Sequence, residues 1–355
     1  MRPPGTMARS GHRRPGLHNA LAREGPATMT DAIPVIDVAD YLAGRAGTLR
    51  VLARQFYDAL TTVGFMVITG HDVPQALIEQ TFSEAERLHD LPMANKLAMK
   101  LNEHNNGYMA MGRYAVWTSD VNKNDKGDLN EAFFIKRERA SDDPLRQSGR
   151  RFVGANVWPD ETELPKFRAR ALDYVDTMDA FTRRMLPALA VALELPPDWF
   201  DEAFKQSQFT LRLSHYPPVQ AAANQFGIAP HTDSSFMTFL AQTEVPGLQV
   251  RMPSGDWLDV PFAPGSFAVN SGDMMKRWTN GRFKSTPHRA LPPVGRHRYA
   301  IPFFLGPQFD WEIACLPTCT GPDDPPRWPP ITYAAWQEYW YDANYDPKAQ
   351  QDLVA

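Results

Sequence analysis

The chain has 355 residues, 43% of them hydrophobic and 22% charged, a composition that suits a globular protein with one large or two ordinary cores. Its formal net charge is -4, no basic stripe follows residue 30, and no apolar run reaches about 18 residues, so neither phosphate-gripping nucleic-acid binding nor a membrane span is expected. Two cysteines, Cys315 and Cys319, are too few for a disulfide framework or a four-thiolate zinc site and suit a reducing cytoplasm.

The first 28 residues carry Arg2, Arg9, Arg13, Arg14 and Arg23, with no acid before Glu24. They read as a disordered extension or an upstream start, with Met29-Thr30 as the natural beginning; an organelle transit peptide is the alternative. Ile33–Asp37 predicts a short edge strand, with Pro34 tolerated at its start. Leu49, Leu52, Ala53, Phe56, Leu60 and Val63 recur at helical spacing up to a C-capping Gly64. Phe65–Ile68 is a continuous apolar run and predicts a buried strand. A second amphipathic helix starts at Asp72-Val73-Pro74 and runs through Leu88. Residues 101–160 are rich in Asn, Gly and Asp and predict loops and short strands. Residues 163–194 predict a long helix interrupted at Pro187. From Phe209 to Phe309 short apolar runs alternate with turns: Phe209–Leu213, Phe236–Leu240, Leu248–Val250, Phe267–Asn270, His288–Leu291 and Tyr299–Leu305. Tyr333–Tyr345 is helical again. Helices flanking a strand-rich centre imply an α+β protein with a barrel-like or sandwich-like β core.

Within that centre, His231-Thr232-Asp233 stands out. On a strand, residues two apart share a face, so His231 and Asp233 can offer one imidazole nitrogen and one carboxylate oxygen to a metal. His288, in Ser285-Thr286-Pro287-His288-Arg289, is the best candidate for a third ligand. Two histidines and one carboxylate leave coordination sites open, which non-haem Fe(II) oxygenases need for a cosubstrate and O2. Alone, a His-x-Asp is a weak signal. Arg298 adds to it, because an arginine at the root of the apolar strand Tyr299–Phe304 is costly to bury unpaired. A dicarboxylate would pair it through a bidentate fork; an internal Asp or Glu is the bland alternative.

These segments together resemble the isopenicillin N synthase-like family of 2-oxoglutarate/Fe(II)-dependent dioxygenases. The matching text includes Leu211-Arg212-Leu213-Ser214-His215-Tyr216-Pro217-Pro218, Gly227–Asp233, Gly247–Val250, Val269–Met274, Arg277–Arg282 and Lys284–Arg289. Ile33–Asp37, Gly64–Pro74 and Pro330–Tyr333 extend the likeness over roughly residues 31–345. The resemblance implies a double-stranded β-helix (jelly-roll) core flanked by N-terminal helices and a C-terminal helix. It implies an N-terminal module over 31–200 after the extension of 1–30, a core over 201–310 and a C-terminal helical segment over 311–355. It makes His231, Asp233 and His288 the iron ligands, Arg298 the partner of the distal carboxylate of 2-oxoglutarate, and Tyr216 a further cosubstrate contact. Asn270 and Gly272 read as structural braces. The implied reaction consumes O2 and 2-oxoglutarate, releases succinate and CO2, and hydroxylates, desaturates or cyclises a small organic substrate.

Two positions depart from the family pattern. Ala300 replaces a serine whose hydroxyl would also bond the cosubstrate, a hydrogen bond worth about 1 kcal/mol. Ser214 stands where plant members usually carry asparagine. Ala300 keeps open an iron oxidase of the same fold that does not use 2-oxoglutarate. A non-catalytic small-molecule binder and a zinc hydrolase are further rivals. Tyr108, Tyr114, Trp117, Phe133 and Phe304 are candidate pocket walls, Arg113 a candidate anion contact, and Glu131 a structural residue.

Overall fold

Short apolar runs become strands, and the amphipathic stretches wrap them as helices. The computed structural model describes residues 32–344, apart from 115, 117, 118, 124 and 125. The expectations for residues 1–30, Trp117 and Tyr345 lie outside the described residues.

The N-terminal half contributes β1 (Val35–Asp37), α1 (Ala39–Leu42), α2 (Thr48–Thr62), β2 (Phe65–Thr69), α3 (Gln75–His89), α4 (Met93–Ala98), β3 (Gly107–Met109), β4 (Glu131–Lys136), α5 (Pro144–Gln147) and α6 (Phe167–Ala192). The central strands follow as β5 (Gln208–Tyr216), β6 (Ile228–His231), β7 (Met237–Gln242), β8 (Leu248–Arg251), β9 (Trp257–Asp259) and β10 (Phe267–Ser271). Then come α7 (Asp273–Trp278), β11 (His288–Ala290), β12 (Arg298–Gly306), β13 (Glu312–Ile313), β14 (Ile331–Thr332) and α8 (Tyr333–Asn344).

Eight strands form one sheet in the order β1-β2-β10-β7-β12-β5-β4-β3, and four form a second in the order β6-β11-β8-β9. Together they are the jelly-roll core of an α+β fold. β5 and β12 are nearly continuous buried runs at the centre of the large sheet; β12 reads as apolar, whereas β5 alternates, its polar residues buried too. The N-terminal strands are built into this same sheet: β2 pairs with β10, and β4 pairs with β5. The segments before residue 201 therefore complete the core instead of standing apart from it.

The outer face of the large sheet is covered by α2, α3 and α6. α2 buries Leu52, Ala53, Phe56, Ala59 and Leu60, the stripe its spacing predicts, and Gly64 follows its end in the left-handed region. The expected interruption at Pro187 does not occur, and α6 runs through it. An interior proline costs about 3 kcal/mol in an isolated helix. Here Met185, Leu186, Ala188 and Leu189 are all buried, and burial of about 2 kcal/mol per large apolar side chain outweighs that cost. Among the described residues no helix is long and apolar enough to cross a membrane.

Candidate metal centre

His231 ends β6, and His288 begins β11 directly opposite it in an antiparallel pair. Cross-strand partners share a face, so both imidazoles project to the same side. Asp233 lies just beyond the end of β6, so strand alternation, the expectation from sequence, does not by itself aim it. Its loop is fixed instead by the Asp273 N–H, which donates to the Asp233 carbonyl at 2.7 Å. Gly272 makes this approach possible: a Cβ there would run into the carbonyl oxygens of Ser235 and Asp233.

The ligand atoms of His231, Asp233 and His288 lie within 4.8 Å of one another. Asp233 Oδ1 is 3.7 Å from His231 Nε2 and 3.5 Å from His288 Nε2. The remaining polar atoms of the three side chains are already engaged. His231 Nδ1 donates to the Ala229 carbonyl at 2.8 Å and His288 Nδ1 to the Thr286 carbonyl at 3.1 Å, which leaves both Nε2 lone pairs facing inward. Asp233 Oδ2 accepts from Thr238 Oγ1 at 2.6 Å and from Asn270 Nδ2 at 2.8 Å, leaving Oδ1 for the centre. Asn270, read from sequence as a brace, thus bonds the carboxylate itself.

Electrostatics matches this geometry. Burial, helped by neighbouring His288, pushes the His231 imidazole down to about 3, so it stays neutral. Burial opposes the charge of Asp233, but the two imidazoles and the Asn270 amide hold its carboxyl below the usual range. Burial also works against a charged His288, yet the Asp233 carboxylate more than offsets it and raises its pKa. A bound cation would displace that proton and take over the carboxylate.

One cavity holds His231, Asp233 and His288 together with Tyr216, Arg298 and Ala300, so all six residues singled out from sequence meet in one place. Arg298 is 1% exposed, and its Nε and Nη1 have no partner. Its guanidinium carbon lies 4.8 Å from the centroid of the Tyr216 ring. No carboxylate of the described residues pairs with it. A buried, orphaned guanidinium is what a dicarboxylate cosubstrate would satisfy. Ala300 faces the same cavity and offers no hydroxyl. Directly across the ladder stands Ser214, whose Oγ is buried and unpartnered.

The pocket walls named from sequence divide. Tyr114 and Phe304 line a second cavity that shares His231 and Asp233 with the first. Tyr108 and Phe133 are buried in the main core instead, and Phe134 is the residue of that strand facing the cavity. Arg113 is exposed, and Arg212, not singled out from sequence, lines both cavities. The signal for it lies in the strand pattern: Arg212, Ser214 and Tyr216 alternate on one strand and share a face.

Comparison with known proteins agrees with this architecture. Residues 207–307 match the 2OG-Fe(II) oxygenase superfamily, and residues 33–161 match the N-terminal region described as that of the non-haem dioxygenase in morphine synthesis. The 2-oxoglutarate-Fe(II) type oxidoreductase hxnY of Emericella nidulans is 33% identical over 321 residues, spanning 88% of this chain and 90% of that protein. The 2-oxoglutarate-dependent dioxygenase citB of Monascus ruber is 32% identical over 80% of this chain and 87% of its own. A full-length Neurospora crassa protein, solved in complex with alpha-KG and thymine, superposes with a TM-score of 0.75 at 25% identity, covering 91% of this chain and 96% of that one. The chain belongs to the 2OG-Fe(II) oxygenase superfamily and is an enzyme that uses Fe(II), 2-oxoglutarate and O2 to oxidise a small molecule.

Proposed function

We propose that His231, Asp233 and His288 hold the iron and that Arg298, Tyr216 and Ser214 hold 2-oxoglutarate. The observation that carries this reading is the orphaned Arg298 guanidinium in the same cavity as three converging ligand atoms. Each residue has a distinct task. The Ala229 and Thr286 carbonyls fix the two imidazoles in the tautomer that presents Nε2. Thr238 and Asn270 hold Asp233 so that one oxygen faces the ion. Arg298 supplies a fork for the distal carboxylate, and the Ser214 hydroxyl supplies the bond that Ala300 cannot. Ile228, Leu240 and Pro302 wall the cavity and keep water from it. The bound iron and 2-oxoglutarate supply the oxidising chemistry, while the protein binds, orients and shields.

In this reading residues 31–200 are the N-terminal module, 201–310 the Fe(II)/2-oxoglutarate core and 311–355 the C-terminal helical segment. The substrate is a small organic molecule reaching the ion from the side of the second cavity. A wider cavity of about 700 Å³ opens beyond it, between α7 and α8, large enough to admit such a molecule. The free thiols of Cys315 and Cys319 support a cytoplasmic location.

The test is an anaerobic titration of the Fe(II)-loaded protein with 2-oxoglutarate, following the visible charge-transfer band of a chelated keto acid. The band is expected in the wild type and absent in His231→Ala. Iron binding without a band would overturn the assignment of Arg298, Tyr216 and Ser214 to the cosubstrate.

A further inference from the structure

Besides Arg298, the interior of the core holds a second guanidinium that no carboxylate of the described residues pairs with. Arg212 is 8% exposed, in the middle of β5. One of its terminal nitrogens donates to the amide oxygen of Asn130, and its Nε is buried with no partner. Asn130 is neutral and is itself pinned by donating to the Gly227 carbonyl at 2.6 Å. The Phe134 ring, 5.3 Å from the guanidinium carbon, supports its flat face. Among the described residues no carboxylate stands within ion-pairing distance. The nearby acid, Asp128, turns one oxygen to the Ala229 N–H at 3.0 Å, and burial pushes its carboxyl up to about 8 against the opposing pull of that bond and of the Arg212 charge.

A buried charge without a counter-charge is expensive, and proteins keep one chiefly where a ligand supplies the partner. The position of Arg212 says which ligand. Arg298 lines only the inner cavity, whereas Arg212, His231, Asp233 and Phe304 line both the inner and the second cavity. The other walls of the second cavity combine rings, Tyr114 and Phe134 from the core and Tyr333, Trp340 and Tyr341 from α8, with the polar side chains of Thr210, two serines and Gln337. A cation beside the metal centre, flanked by flat rings and by hydrogen-bonding side chains, suits a flat ring molecule carrying one negative charge. Charge counting agrees. Two positive charges on Fe(II) and one on Arg298 face the two of 2-oxoglutarate and the one of Asp233, which leaves Arg212 for the substrate.

We propose that Arg212 is the anion anchor of the substrate site and that the enzyme acts on aromatic monocarboxylates, held with the carboxylate on the Arg212 guanidinium and the ring between Phe304 and the aromatic side chains of α8. This rests on the assignment of Arg298 to the cosubstrate.

The test compares acids with their neutral amides on the anaerobic Fe(II)/2-oxoglutarate complex: benzoate against benzamide, and phenylacetate against phenylacetamide. Binding is read by calorimetry and by the shift of the charge-transfer band, without turnover. A charge-assisted bond predicts that the wild type binds at least one acid about tenfold or more tighter than its amide. Arg212→Gln brings that ratio to within about twofold, and Arg212→Lys, which keeps the charge without the fork, leaves an intermediate preference. Equal binding of acid and amide by the wild type, no binding of either acid, or a preference that survives in Arg212→Gln overturns the proposal. So does a loss of 2-oxoglutarate affinity in Arg212→Gln as large as the loss for the acid, which would make the residue a cosubstrate ligand. Failure of the underlying assignment shows separately, as absence of the band before any acid is added.

Discussion

Two buried clusters in this molecule have the same composition and opposite character. His231, Asp233 and His288 bring two imidazoles and a carboxylate within 4.8 Å, and so do His89, Glu131 and His215. In the second cluster nearly all the polar atoms are consumed internally; His89 Nδ1, 3.5 Å from Glu131 Oε1, is the exception. Glu131 Oε1 accepts from His215 Nδ1 at 2.7 Å, and Oε2 takes both the Lys96 ammonium at 3.0 Å and the Tyr108 hydroxyl. His215 Nε2 is bonded to His297 Nδ1 at 2.7 Å, and His89 Nε2 donates to the Leu213 carbonyl at 3.0 Å. Burial opposes the charge of Glu131, but His215, His89 and Tyr108 hold its carboxyl far below the ordinary range. In the first cluster the outer atoms alone are engaged, and three lone pairs are left to converge. Ligand types within reach are therefore not enough to make a metal site. What matters is which lone pairs the surroundings leave free, and on Glu131 one oxygen already holds the Lys96 ammonium and the other the His215 N–H.

Five substitutions can break or sharpen this contrast. The largest effect is expected at the closed cluster. Glu131→Gln leaves Lys96 buried without its counter-charge and costs about 3–5 kcal/mol of stability, read as a lower denaturant midpoint. If iron content fell with the midpoint unchanged, the roles of the two clusters would be reversed. Next is Arg298→Gln, which removes the charged fork from the cosubstrate cavity. A loss of about 2–3 kcal/mol predicts 2-oxoglutarate affinity lower by roughly 30- to 150-fold, measured by the charge-transfer titration. An unchanged affinity would detach Arg298 from the cosubstrate.

Ser214→Ala is expected to cost about 1 kcal/mol, or roughly fivefold in 2-oxoglutarate affinity. Adding Ala300→Ser on the facing strand is expected to recover most of it, because the two side chains oppose each other across the β5–β12 ladder. No loss in the single variant would remove Ser214 from the site. The last effect, read as a difference between two pH values, is at Asp128. Its folded pKa, about 8, lies above the unfolded value, so between about pH 4 and 8 the folded chain holds a proton that the unfolded chain has lost. Stability from this group is present at low pH and declines as pH rises through that window. Asp128→Asn is expected to raise Tm at pH 8 relative to the wild type and to leave it nearly unchanged at pH 4. An equal shift at both pH values would contradict a buried, protonated carboxyl.

Much of the open cluster was legible in the sequence. His231-Thr232-Asp233 is a local signal, and Arg298 at the root of an apolar strand is a chemical anomaly that points to its own partner. The closed cluster was not legible, because His89, Glu131 and His215 come from a helix and two strands far apart in the chain and meet only through β4–β5 pairing. Nor was the source of Asp233's orientation, since the backbone bond from Asp273 leaves no mark on residue type. Periodicity located the strands and helices well. It failed at Pro187, where a local rule gave way to the burial of the residues on either side.

The most direct test of the account is the iron content of three proteins after anaerobic loading with Fe(II) and removal of excess metal: the wild type, Asp233→Ala and Glu131→Gln. The account predicts one iron per chain in the wild type, the same in folded Glu131→Gln, and close to none in Asp233→Ala. Iron retained by Asp233→Ala and lost from Glu131→Gln would place the metal in the wrong cluster and contradict it.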